Sequence, residues 1–226
     1  MAAETTVLEL LNAGDRILVH RELYGGTYRL LSMATTGRRY DLEYIDAGNP
    51  DELRTALARP TKLVWIETPT NPLMTLIDIA ETARIVHEAG ALLLVDNTFL
   101  SPYFQNPLTL GADIVVHSGT KFLGGHNDTL AGFLVTNREE ISEQLRFLIK
   151  TTGAGLAPFD SWLILRGIKT LGIRMEQAQK NADMIHAALD YVQGSNRILE
   201  KLVSGEWDEQ FLVAEPGHLI RHGDFF

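Results

Sequence analysis

Short runs of consecutive apolar residues alternate along this chain with longer stretches in which apolar residues recur every three or four positions. The runs are residues 16–20 (Arg-Ile-Leu-Val-His), 62–67 (Lys-Leu-Val-Trp-Ile-Glu), 91–95, 112–116 and 132–136. A strand covered on both faces reads as such a run. Residues 40–45 alternate like a strand. The periodic stretches predict helices over 3–13, 27–33, 50–58, 78–90 and 139–151, and one long helix or two from 159 to about 192. Asp78 stands at the start of the fourth, with Glu81 as capping-box partner and Gly90 at its end. Gly25-Gly26 reads as a break. Thr68-Pro69-Thr70-Asn71-Pro72 reads as a loop, because each proline restricts the residue before it. From Ser195 onward the pattern fades into turn-rich segments such as Ser204-Gly205-Glu206-Trp207 and Glu215-Pro216-Gly217-His218.

Strands alternating with helices predict an α/β fold: three layers, a mostly parallel sheet with helices on both faces. Ligands bind beyond the carboxyl ends of the strands in such a sheet. Tyr24-Gly25-Gly26-Thr27, the 68–72 loop, Asp96-Asn97-Thr98 and Ser118-Gly119-Thr120-Lys121 follow four of the strands and are expected at one edge. Together they supply an aromatic ring, an amide, a carboxylate, hydroxyls and an amine. That set suits a flat, phosphorylated, nitrogen-containing cofactor.

Composition narrows the field. The chain has 226 residues, an apolar fraction of 45%, and 20 Lys and Arg against 29 Asp and Glu, a net charge of −9. An acidic balance argues against nucleic-acid and anionic-membrane partners. The absence of cysteine excludes disulfides, cysteine metal sites and a thiol nucleophile. The N-terminus has no basic segment followed by an apolar one, so a cytoplasmic location is the expectation. A Walker-type phosphate loop fails, since Lys121 is preceded by Thr120 and followed by Phe122. A nicotinamide dehydrogenase would suit the pattern of elements, but there is no G-x-G-x-x-G. His218 and His222 have metal-compatible spacing, which Pro216 and Gly217 make a poor helix to carry. His117 is expected to pack, and Trp65, Trp162 and Trp207 to belong to the core.

Several ordered segments carry a resemblance. Val95-Asp96-Asn97-Thr98-Phe99, Gly111-Ala112-Asp113-Ile114-Val115 and His117-Ser118-Gly119-Thr120-Lys121 resemble the pyridoxal-phosphate enzymes of cysteine and methionine metabolism, the cystathionine gamma-synthase and cystathionine lyase group. Leu23-Tyr24-Gly25-Gly26-Thr27, Glu67-Thr68-Pro69-Thr70-Asn71-Pro72 and Arg166-Gly167-Ile168-Lys169-Thr170-Leu171 are similar to the same family. The resemblance runs from residue 1 to about 195. It implies an aspartate aminotransferase-like (fold type I) cofactor domain over 1–195, followed by a divergent tail over 196–226.

The resemblance also implies roles. Lys121 would hold pyridoxal 5'-phosphate as a Schiff base and then move protons. Asp96 would keep the pyridine nitrogen protonated. Tyr24 would stack on the ring and serve catalysis, Asn71 would hydrogen-bond near the phenolic oxygen, and Ser118 and Thr120 would donate to the phosphate. The implied reaction is gamma-replacement or gamma-elimination on a small amino-acid substrate, a sulfur amino acid or O-acylhomoserine, in a homodimer or homotetramer. Gly26 argues mildly against methionine gamma-lyases, which often carry Cys there.

Against the family pattern, the Ser-Gly before Met1-Ala2-Ala3, the N-terminal arm and the C-terminal domain with its carboxylate-binding Arg are not found in this sequence. Arg221 has no motif to put it in that role. The reading is therefore of a chain truncated at both ends, with weakened cofactor binding. A non-catalytic remnant of the family is the competing expectation.

Overall fold

A computed structural model of the chain describes residues 1–36 and 39–204. Six strands form one sheet: β1 (Arg16–His20), β2 (Asp41–Ile45), β3 (Leu63–Glu67), β4 (Leu92–Asp96), β5 (Ile114–Ser118) and β6 (Gly132–Val135). Their order is β2-β1-β3-β4-β5-β6. The first five are mutually parallel and β6 runs antiparallel to β5. The order reverses at β1, whose two neighbours are β2 and β3, so the loops after β1 and β3 part there and leave a crevice.

Helices cover both faces. One face packs on α3 (Pro50–Leu57) and α4 (Ile79–Glu88) through Leu53, Ile79 and Val86 against Val64, Ile66, Leu93 and Val95. The other packs on α1 (Ala2–Leu8), α2 (Gly25–Thr36) and α6 (Glu139–Thr152) through Val7, Leu31 and Leu145 against Val19, Trp65, Leu94 and Val116. Burial of each such side chain is worth about 1.5–3 kcal/mol, which is what commits these runs to the middle of the sheet. The remaining helices are α5 (Ser101–Phe104), α7 (Pro158–Ile168) and α8 (Leu171–Ser204). By contact the chain divides into two compact units, Met1–Met175 and Glu176–Phe226. The second is described as far as Ser204 and is helical there.

The element boundaries differ from expectation in instructive places. α1 ends at Leu8 rather than near residue 13, because Leu10 and Leu11 turn back to Val7 and Leu8 in tighter i→i−3 bonds and Asp15 accepts the N–H of Asn12. Gly25-Gly26 begins α2 instead of breaking the chain. The first N–H groups of a helix need no helical partner, and Tyr28 already donates to Tyr24. Asp78 caps α4 by accepting from Glu81 N–H at 3.0 Å, but the reciprocal half of the box is replaced by ion pairs of Glu81 with Arg54 and Arg84. The 159–192 stretch is two helices, parted after Ile168. Trp65 is core, whereas Trp162 is exposed and stacks on Phe159. Trp207, Arg221, His218 and His222 lie outside the described residues.

Candidate active site

β3, β4 and β5 each end on a polar residue after an apolar run: Glu67, Asp96 and Ser118. Alternation along a strand puts Glu67 on the face of Trp65, Asp96 on that of Leu94 and Ser118 on that of Val116, all toward α1, α2 and α6. The register sets Glu67 beside Asp96 and Asp96 beside Val116. A row of polar side chains therefore crosses the carboxyl ends of the sheet on one face.

A cavity of about 560 Å³ opens over this row. It falls within the range of small-molecule sites, roughly 300–1,000 Å³. Tyr24, Asn71, Asp96, Ser118, Thr120 and Lys121 all line it. The structure thus brings together all six residues singled out from the sequence. A second hollow of about 390 Å³, lined by Glu9, Leu10, Glu143, Gln144, Phe147 and Leu148, carries no amine.

Each side chain is held by its neighbourhood. Lys121 lies in a π-turn over Gly119–Leu123 and breaks its regularity at φ −92° and ψ −124°. Gly119 is needed there, because a Cβ would stand 2.5 Å from the Phe133 ring. Lys121 is exposed and lines the cavity. Asp96 is buried and accepts from Thr98, from N–H at 2.9 Å and from Oγ1 at 2.5 Å. Burial raises its pKa, and the Thr98 bonds hold it back. Thr98 Oγ1 in turn accepts from Ser118 N–H at 2.9 Å, tying the ends of β4 and β5. The Thr120 hydroxyl exchanges 3.2 and 3.4 Å contacts with the Ala131 backbone. Asn71 precedes one of two cis X–Pro bonds in its loop. Tyr24 is 44% exposed, and its ring lies so close over Gly26 that any Cβ there would collide with it at 2.3 Å.

Three further ionisable side chains line the cavity that the sequence reading did not place there. Glu67 is buried, and its pKa is pushed up to about 8, first by burial and then by the neighbouring Asp96. Glu4 on α1 is buried, accepts from Thr27 Oγ1 at 3.0 Å and leaves Oε2 without a partner. His117 is packed as expected but also borders the cavity, and its Nδ1 is unpartnered. One signal was available for Glu67: it ends its apolar run at the same place and parity as Asp96. Among the described residues, no group of His, Asp and Glu stands where it would hold a metal ion, and no helix is long and apolar enough to cross a membrane.

The model of a family described as Cys/Met metabolism PLP-dependent enzyme matches residues 1–199. The chain belongs to this family. It is 48% identical over 190 residues to a cystathionine gamma-lyase of Bacillus subtilis, covering 84% of this chain and 50% of that protein. It is 44% identical over 199 residues to a probable cystathionine gamma-synthase of Herpetosiphon aurantiacus, covering 88% and 62%. Among solved structures, cystathionine gamma synthase from Xanthomonas oryzae in complex with cystathionine superposes with a TM-score of 0.83 at 41% identity, over 84% of this chain and 49% of that one. Cystathionine gamma-lyase from Lactobacillus plantarum complexed with L-serine gives 0.82 at 41% identity, over 84% and 50%. The chain thus spans 49–62% of the length of these relatives.

Membership of the Cys/Met metabolism PLP-dependent family makes pyridoxal 5'-phosphate the cofactor against which the cavity is judged. The donor set fits it. The cavity holds a lysine amine, a buried carboxyl at a neighbouring strand end and an aromatic ring close against a glycine turn.

Proposed function

We propose that the chain binds pyridoxal 5'-phosphate in this cavity and serves a transsulfuration reaction of the cystathionine gamma-synthase or gamma-lyase type. The substrate would be a small sulfur amino acid or an O-acylhomoserine. One observation carries the reading: Lys121 and Asp96 reach one cavity from adjoining strand ends, with Tyr24 and Asn71 beside them. The names of the relatives support the reaction class, since the proteins similar to this chain include both gamma-lyases and gamma-synthases.

The cofactor supplies an electron sink for charge that develops at the substrate carbons. The protein's part falls to its side chains. Lys121 Nζ is the one primary amine among the six, so it would hold the cofactor's aldehyde and would move protons at the substrate's alpha and beta carbons. Asp96 would keep a proton on the cofactor's ring nitrogen. Its bonds from Thr98 favour the charged carboxylate that this needs. Tyr24 would stack on the cofactor ring, a contact worth about 1 kcal/mol beyond burial. Asn71 positions the phenolic oxygen and the substrate. Ser118 and Thr120 donate hydroxyls to the phosphate. Residues 1–195 would form the cofactor-binding part, the assembly a homodimer or homotetramer, and the location the cytoplasm.

The test is incubation of the purified 226-residue chain with the cofactor, followed by assay with cystathionine and with O-acylhomoserine plus cysteine. The reading expects a yellow protein that turns over at least one of the two. A protein that stays colourless would instead mark a non-catalytic remnant.

A further inference from the structure

Glu67 ends β3, beside the loop that follows β1. Its Oε2 accepts the N–H of Tyr24 at 2.6 Å, and its own backbone begins the loop that carries Asn71. Tyr24 belongs to the loop after β1 and Asn71 to the loop after β3, which start from neighbouring strands beside the reversal of strand order. One buried residue thus joins the segment that carries the aromatic ring to the segment that carries the amide.

The same two loops are tied a second time. Glu22, in the loop after β1, accepts Thr70 Oγ1 at 3.0 Å and Thr75 Oγ1 at 2.6 Å. The two ties differ in setting. Hydrogen bonds from Thr75 and Thr70 lower the Glu22 pKa, as befits a carboxylate in contact with solvent. Glu67 is 5% exposed, and the charged neighbours that raise its pKa are acids, Asp96 from β4 and Glu4 from α1, set against the Tyr24 N–H that it accepts. A buried acid in such company is costly to keep unless something depends on it. Nothing in the binding scheme above requires Glu67 to touch the cofactor.

Resting on the cofactor reading above, we propose that Glu67 is a positioning residue, whose buried carboxyl clamps the Tyr24 loop to the Asn71 loop and so sets the ring and the amide over the cavity. The clamp works through its acceptor oxygens. A glutamine keeps an acceptor of the same reach, an aspartate falls one methylene short, and an alanine has none.

The experiment compares wild type, Glu67→Gln, Glu67→Asp and Glu67→Ala in the full chain. It uses amide hydrogen exchange without cofactor and titration with pyridoxal 5'-phosphate. In Glu67→Ala, exchange of the Tyr24 and Asn71 segments rises about tenfold or more while the interiors of β3 and β4 keep their protection. Its cofactor affinity falls about tenfold or more, and Glu67→Gln stays within about threefold of wild type in both readouts. If the alanine variant does not fold, the aspartate variant gives the same local loss. Unchanged loop protection in the alanine and aspartate variants overturns the proposal, and so does loss of protection throughout the sheet. A glutamine variant as damaged as alanine overturns it too. Loosened loops in a chain whose wild type takes up no cofactor would keep the clamp and overturn the cofactor reading instead.

Discussion

At the amino ends of the strands, buried charges are answered. Asp113 accepts Leu93 N–H at 2.8 Å, faces His87 at 2.9 Å and accepts from Arg138 at 2.8 Å. Arg16 donates to the Ala56 carbonyl and the Thr61 hydroxyl and pairs with Glu43. At the carboxyl ends of the same sheet the pattern is reversed. Glu67, Asp96 and Glu4 crowd one face, and Glu4 Oε2 and His117 Nδ1, both at the cavity, are buried without partners. Arg16 Nε, the one comparable atom at the amino edge, still has Asp41 at 3.8 Å. The pKa shifts follow. Burial pushes Asp113 up, but its three hydrogen bonds outweigh that and bring it below the usual aspartate value. Burial pushes Asp96 up, and two hydrogen bonds from Thr98 do not restore it. One edge is arranged for stability. The other holds unanswered polar groups around a cavity, as a site does that awaits a charged ligand.

The largest effect expected from breaking this contrast is at Asp96. Asp96→Asn removes the charge that would face a protonated ring nitrogen and lowers turnover about 10²–10³-fold. The chain without cofactor is no less stable, because neutralising the acid removes the cost of burying its charge while the amide oxygen still accepts from Thr98. Assay and thermal melting check the two halves. Asp113→Ala has the opposite profile. It strips three donors of their acceptor, costs about 2–3 kcal/mol in denaturant unfolding, and leaves cofactor uptake per folded molecule unchanged.

A smaller effect separates the edges by pH. The Glu67 pKa is raised from 4.5 to about 8 on folding. As pH climbs between those values the unfolded chain loses this proton while the folded one keeps it, so stability falls. Between about pH 6 and pH 8 the cofactor-free chain loses about 2 kcal/mol, and Glu67→Gln flattens that slope. Asp113 is depressed, so its contribution is present above its unfolded value of 3.8 and fades only as pH falls through its lower folded one. Denaturant curves across pH place the two losses at opposite ends of the range.

Much of this contrast was legible in the sequence. The runs at 16–20 and 62–67 became β1 and β3 almost residue for residue, because unbroken apolar runs have nowhere to go but the middle of a covered sheet. The six residues that line the cavity were singled out because they follow such runs and fall in motifs that resemble a family. The antiparallel turn of β6 was not legible, since strand direction is set by packing and not by period. Nor was the π-turn that carries Lys121, whose five-residue repeat is too short to leave a pattern and which depends on Gly119 against Phe133. Glu67 was quoted as part of a motif and passed over, because its meaning lies in lateral register with Asp96, which a linear reading does not contain.

Borohydride reduction of the chain after incubation with pyridoxal 5'-phosphate, followed by peptide mass mapping, probes the cavity edge most directly. The expected result is a single modified peptide with the added mass on Lys121, absent from Lys121→Ala. Label spread over surface lysines, or undiminished in Lys121→Ala, would contradict it.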